Sequence, residues 1–138
     1  MRVLFDTNII LDVLLDRQPW AAEGRRLWTA ARDGQFEAFV TASSLTDLFY
    51  LSRRHSGRER AWDVVRSCLD DLYVIGVSII ELRSALNRPG IDFEDNLQIA
   101  CAESAVLDFI ITRDHAGLVS GTIPVLTTAE FLSRITTS

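Results

Sequence analysis

The chain has 138 residues, 48% of them hydrophobic and 24% charged, enough apolar sequence for one folded domain over residues 1–138 with a core of its own. Seven glycines, three prolines and no biased tract exclude a low-complexity chain, and no apolar run approaches the roughly 20 residues of a membrane-spanning helix. Fourteen basic residues, all arginine, against 19 acids leave a net charge of −5, the wrong sign for a module that binds nucleic acid by neutralising phosphates.

That balance still admits an enzyme that meets nucleic acid through metal ions and local arginines. Two cysteines without ligand spacing exclude a zinc site or a disulfide framework. The opening MRVLFDTN turns polar after four residues and does not read as a signal peptide, so a soluble cytoplasmic protein is expected.

In chain order, Arg2 to Phe5 is a short apolar strand that stops at an acid. Asn8 to Leu15 carries apolar residues without strand alternation and predicts a helix. Pro19 favours the start of the next helix, which runs to Gly34 with Trp20, Leu27 and Trp28 on one face. Phe36 to Val40 is a second strand, and the hydroxyls of Thr41, Ser43 and Ser44 are ready caps for a helix over Leu45 to Arg54. A break at His55–Gly57 precedes a helix from Arg58 to Asp71, striped by Trp62, Val65, Leu69 and Leu72.

Tyr73 to Val77 is a third strand. Ser78 and Glu81 have capping-box spacing for a helix that stops near Pro89 and Gly90. The helix over Asp92 to Ala105 turns Phe93, Leu97, Ala100, Cys101 and Ala105 inward. Phe109 to Thr112 and Ile123 to Leu126 are the last strands, and Thr127 with Glu130 caps a closing helix through Ile135. Short, wholly apolar strands alternating with helices predict an α/β fold whose parallel sheet is covered on both faces. Its ligand site belongs beyond the carboxyl ends of the strands.

The aspartates fall at that edge. Asp6 follows the first strand, Asp47 lies in the first turn after the second, Asp92 and Asp95 open the helix before the fourth, and Asp114 comes two residues after the fourth. Asn8 and Thr112 add neutral polar groups. Each acid taken singly also fits a helix N-terminus for its dipole alone. Together they are costly: two carboxylates about 5 Å apart repel by roughly 3 kcal/mol at an effective dielectric near 20. Lysine is absent from the chain, and an all-oxygen acidic cage suits Mg²⁺ or Mn²⁺. A divalent ion so held generates hydroxide and neutralises a phosphodiester, the chemistry of a metal-dependent nuclease.

At Asp6-Thr7-Asn8, Asp47, Asp92-Phe93-Glu94-Asp95 and Thr112-Arg113-Asp114, the chain resembles PIN-domain ribonucleases, above all the small VapC toxins of bacterial toxin–antitoxin pairs. The likeness runs nearly end to end, through VLFDTNIILDVLLDR, TASSLTDLFYL, IDFEDNLQIACAESA, FIITRD and IPVLTTAEFL. It implies a three-layer α/β/α sandwich with a central parallel sheet. It also implies cleavage of single-stranded RNA with Mg²⁺, for which Mn²⁺ substitutes, and an antitoxin partner. By this resemblance Asp6, Asp47, Asp95 and Asp114 are catalytic. Asp6 and Asp95 are the principal metal ligands, Asp114 completes the cage, and Asp47 binds metal or orients water. Asn8 and Thr112 position water or the acids. Departures are Asp47 where the family most often has glutamate, Asn96 in place of a small apolar residue, and the extra acids Asp92 and Glu94, either of which could stand in for a principal ligand. Small domains of this kind commonly pair, so a homodimer is expected.

Arg53, Arg54, Arg58 and Arg60 grip RNA or form a solvated helix end. Arg113 holds a phosphate or pairs with a neighbouring acid. His55 and His115 read as exposed loop residues, Cys68 and Cys101 as small core residues, and the three tryptophans as core or subunit contacts. Asp12, Asp16 and Asp63 are placed on helix exteriors without a role. A rival reading is a non-catalytic PIN-fold module whose acidic cleft receives a basic partner segment. A haloacid-dehalogenase-type phosphotransferase is excluded by Asn8 and Ile9 where a second aspartate and a glycine belong, and by the missing lysine.

Overall fold

The computed structural model describes residues 1–113, 115–118 and 121–137. Five strands, β1 (Arg2–Phe5), β2 (Glu37–Thr41), β3 (Tyr73–Ile75), β4 (Phe109–Ile111) and β5 (Val125–Leu126), form one parallel sheet in the order β3-β2-β1-β4-β5. The helices are α1 (Thr7–Leu14), α2 (Ala21–Arg32), α3 (Ala42–Ser56), α4 (Arg58–Asp71), α5 (Ile79–Leu86), α6 (Phe93–Ser104) and α7 (Thr128–Thr137), with a 3-10 turn at His115–Leu118.

Alternation along the strands divides the core. In β1, Val3 and Phe5 join a cluster with Ile10, Leu27, Leu48, Val64 and Phe131, whereas Leu4 joins Ile99, Ala102 and Leu118 on the opposite face. In β2, Ala38 and Val40 face the first cluster and Phe39 the second. Both faces of the sheet are therefore apolar because helices cover both, which gives the expected three-layer α/β/α sandwich.

Local signals act as sequence chemistry dictates. Ser78 and Glu81 form a capping box on α5. Thr127 and Glu130 exchange the same pair of bonds before α7, the Thr127 amide donating to Glu130 at 2.9 Å and the Glu130 amide to Thr127 Oγ1 at 3.2 Å. Cys68 and Cys101 are buried, and burial pushes their thiols up to about 12 and about 11, so they are inert core groups.

Several expectations change. Helix α3 starts three residues earlier than predicted because Thr41, not Ser44, accepts the capping bond from the Ser44 amide at 3.3 Å. Asp47 consequently sits in the second turn of α3 rather than the first. In α4 the inward stripe is Ala61, Val64 and Cys68, one position off the predicted one, leaving Leu69 outside. Trp62 is 52% exposed with its ring edge-on to Phe49, and Trp20 is 43% exposed, so of the three tryptophans only Trp28 is in the core. Phe93, in the first turn of α6, also faces outward. Asp12 is not on a helix exterior but 2% exposed.

Candidate active site

Strand order reverses between β1 and β4, and the loops leaving these two strands flank the crevice where open α/β sheets place ligands. Asp6 stands there. Its backbone amide donates to Ile111 O at 3.0 Å, which fixes the end of β1 against β4. Its side chain caps α1, with Oδ1 accepting from the Thr7 amide at 2.7 Å and from Gln98 Nε2 at 2.9 Å. Oδ2 accepts from Thr112 Oγ1 at 2.7 Å. A carboxylate offers roughly four acceptor positions, so these three donors fill Oδ1 and leave one position on Oδ2. Asp6 is 8% exposed, and Gln98 and Thr112 are buried.

A cleft of about 510 Å³ opens from this point, and Asp6, Asn8, Asp47, Asp92, Glu94 and Asp95 all line it, with Arg54 at its side. Asp92 caps α6 by accepting the Asp95 amide at 3.0 Å, which holds the first turn of that helix at the cleft. The turn before α6 is latched from behind. Asn96 Nδ2 donates to Ala85 O and Gly90 O, each at 3.1 Å, giving structural reason for a polar residue where an apolar one was expected. Asp95 has its Oδ2 so close to Gly117 that a Cβ built there would lie 2.4 Å away.

The electrostatics record the crowding. Loss of surrounding water and the charge of Asp47 push the Glu94 carboxyl above its ordinary range, with Asp6 and Asp92 adding to the effect. A hydrogen bond from Thr7 Oγ1 to Glu94 Oε1, at 3.2 Å, works the other way. Glu94 is thus a member of the site beyond the four principal acids. It is legible in the sequence as an additional acid beside Asp95, but Gln98 carries a fainter signal: one amide in the otherwise apolar run Leu97 to Ala102.

Of the predicted residues, Asp6, Asn8, Asp47, Asp92 and Asp95 line one cleft, and Thr112 touches it through Asp6. Asp114 lies outside the described residues. Asn8 Oδ1 accepts from Arg17 Nη2 at 3.3 Å. Arg113 pairs with Asp12. His55 is exposed, its Nδ1 2.6 Å from Ser56 Oγ, and it closes α3 rather than lying in a loop. A hollow of about 610 Å³ between α2 and α7, lined by Ala30, Leu132 and Ile135, brings no comparable set of acids together.

The donor chemistry fits a hard divalent cation: carboxylate oxygens from three elements, one acceptor position left on Asp6, and a Glu94 carboxyl raised by burial and by the charge of Asp47. Among the described residues, no three His, Cys, Asp or Glu side chains already converge closely enough to chelate one ion. Among them, too, no helix is long and apolar enough to cross a membrane.

Solved structures share the whole architecture. The VapBC2 complex of Rickettsia felis bound to a promoter DNA fragment matches with a TM-score of 0.71 at 14% identity, over 92% of this chain and 98% of that chain. VapC20 of Mycobacterium tuberculosis, described as a sarcin–ricin-loop-cleaving toxin, matches with a TM-score of 0.73 at 15% identity, over 86% and 95%. A toxin–antitoxin complex of Klebsiella pneumoniae matches with a TM-score of 0.67 at 19% identity, over 91% and 97%. At these identities the likeness is one of fold. No curated protein sequence matches significantly. The sequence profile of the PIN domain matches residues 2–116, most of the chain. With that match, and with an acidic cleft at the strand reversal of a five-stranded parallel sheet, the chain belongs to the PIN domain family.

Proposed function

We propose that the protein is a metal-dependent endoribonuclease that hydrolyses single-stranded RNA in the cytoplasm, as the toxin of a toxin–antitoxin pair. The observation that carries this reading is the convergence of Asp6, Asp47, Glu94 and Asp95 on one cleft. Support comes also from the fold shared with VapC20, a toxin that cleaves the sarcin–ricin loop, and with a toxin–antitoxin complex.

Asp6, Asp95 and Asp114 would hold Mg²⁺, or Mn²⁺ in its place, with Asp47 binding metal or orienting water. The bound ion supplies a lowered pKa for water and charge neutralisation at the phosphodiester. The chain's own residues do the rest. Gln98 and Thr112 hold the Asp6 carboxylate in a single orientation by donating to both of its oxygens. Asp92 fixes the backbone under Asp95. Thr7 orients Glu94 toward the cleft, where its raised proton affinity suits it to accept a proton from attacking water.

An antitoxin would inhibit by placing a basic segment among these acids. The exposed Ile79, Ile80 and Leu86 of α5 offer apolar surface for a partner or for a homodimer. A binding module without catalysis is the alternative, favoured by the three donors already on Asp6.

Asp6→Asn separates the two. The amide oxygen can take the place of Oδ1 under the Thr7 and Gln98 donors while its NH₂ donates to the Thr112 hydroxyl, so the fold is retained. Mn²⁺-stimulated cleavage of single-stranded RNA is expected to fall at least 100-fold. Wild-type protein should bind Mn²⁺ calorimetrically without a partner. Full cleavage by the variant, or no metal binding by the wild type, refutes the nuclease.

A further inference from the structure

Beside the acidic cleft lies a second cluster, centred on the carboxylate of Asp12. Arg17 Nε donates to Asp12 Oδ1 at 2.9 Å, and Arg113 Nη2 donates to the same oxygen at 3.1 Å. Arg113 Nε is 2.8 Å from Oδ2. One buried negative charge thus holds two guanidiniums, and these three side chains alone sum to +1 in a chain of net −5. A buried carboxylate needs one cation for neutrality, so the second is surplus to it. Both arginine side chains are 28% exposed, so the surplus charge reaches solvent.

The Arg113 guanidinium lies 3.7 Å from the centroid of the Trp20 ring. Trp20, 43% exposed, borders a hollow of about 310 Å³ that Asp12, Glu23, Arg113 and Thr128 also line, so one further carboxylate stands near the pair. The cluster is continuous with the cleft. Arg17 Nη2 donates to Asn8 O at 3.2 Å as well as to its side chain, and Arg113 directly follows Thr112, the donor to Asp6. A cleft walled by acids repels an RNA strand, and beyond Arg54 at its side this pair brings positive charge next to it. Guanidinium forks match phosphate, and an open indole face accepts any base.

We propose that Arg17, Arg113 and Trp20 form a nucleotide subsite adjoining the acidic cleft, in which the two guanidiniums meet a phosphate of single-stranded RNA and the neighbouring base stacks on the open face of Trp20. Asp12 is the positioning residue that presents both arginines. The subsite rests on the nuclease reading for the identity of its ligand, but its binding is measurable without cleavage.

The test uses Asp6→Asn protein, a labelled oligouridylate and fluorescence anisotropy. Replacing Trp20 by Ala in that background should raise Kd about tenfold, in the range of one lost base stack, and Trp20→Phe should restore most of the affinity. Arg113→Gln should reduce the slope of log Kd against log salt by about 0.7, the value for one phosphate contact on a single strand. Unchanged affinity in Trp20→Ala, or no RNA binding by the Asp6→Asn parent, overturns the subsite. If Trp20→Ala does not fold, the Arg113→Gln and Arg17→Gln slopes decide, and two unchanged slopes overturn it equally. Trp20-dependent binding by a wild-type protein that does not cut RNA would sink the nuclease and keep the subsite. Cleavage with Trp20-independent binding would do the reverse.

Discussion

The side-chain amide of Gln98 and the carboxylate of Asp6 meet at 2.9 Å although 92 positions separate them in the chain. The amide has one workable orientation, because its carbonyl turned toward the carboxylate would be repelled. The end of β1 and the middle of α6 are therefore pinned together, and α6 carries Asp95 one turn earlier. Gln98 thus governs the separation of two acids on different elements.

Gln98→Leu removes this pin and, with it, a buried carbonyl oxygen that has no hydrogen-bond partner. The two effects oppose each other, so stability should fall by no more than about 1.5 kcal/mol by thermal melting. RNA cleavage should drop at least tenfold, and Mn²⁺ affinity should weaken in calorimetry. Wild-type metal affinity in the variant would show that Asp6 does not depend on Gln98.

Gly117 is required by the carboxylate beside it. A Cβ at this position would stand 2.4 Å from Asp95 Oδ2 and 3.3 Å from its Cγ. The obstructed atom is the end of a side chain, so the carboxylate yields and the backbone stays. Gly117→Ala should melt within about 1 kcal/mol of wild type yet lose most of its cleavage activity. Comparing melting curves with cleavage rates at several Mn²⁺ concentrations checks this, and an equal loss of both would assign Gly117 to folding.

The pH dependence of stability follows from Glu94. Its carboxyl is pushed upward by loss of water and by Asp47, so the folded protein prefers it protonated. Its contribution is complete below the ordinary glutamate value of about 4.3 and is lost as pH rises through the higher folded value. Glu94→Gln keeps an oxygen for Thr7 to donate to and never ionises. Without metal, it should melt higher than wild type at pH 7 and level with it near pH 4. A gap of the same size at both pH values would contradict the electrostatic account.

Asp12→Asn leaves Arg17 and Arg113 without the charge that holds them. Because both guanidiniums can turn to solvent, the cost should lie near the lower end for a broken buried pair, about 3 kcal/mol by chemical denaturation. Leaving the pair intact but deleting one partner, as in Arg17→Gln, should cost less, since Arg113 still balances Asp12. Equal losses in the two variants would mean that Asp12 depends on Arg17 alone.

Much of this arrangement is legible before any coordinates. An apolar strand that halts at an acid marks Asp6, and the spacing of Asp92 and Asp95 marks a helix N-terminus at the same edge. The parts that escape a linear reading have physical causes. In Thr41-Ala42-Ser43-Ser44 three hydroxyls compete to cap α3, and the choice of Thr41 moves Asp47 back by a turn. Asp12 looks solvent-facing by its place on α1, but the turn between α1 and α2 and the loop after β4 cover it with arginines from both sides. In α4, Trp62 and Leu69 are larger than Ala61 and Cys68, and hydrophobicity alone favours the wrong stripe. Close packing against α3 selects the small residues instead. Gln98 hides for a related reason: its helix face is apolar, and only its partner Asp6, just past the end of β1, explains an amide there.

The order β3-β2-β1-β4-β5 puts the first strand of the sheet in chain order beside the fourth. Asp6 comes well before the donors that orient it, since Gln98 and Thr112 lie in α6 and at the end of β4. During translation, then, the early half of the chain can lay down β1 to β3 without assembling the cleft. Under the proposed nuclease reading, the chain would become able to attack RNA, the ribosome's included, only once its fourth strand has slid in beside the first.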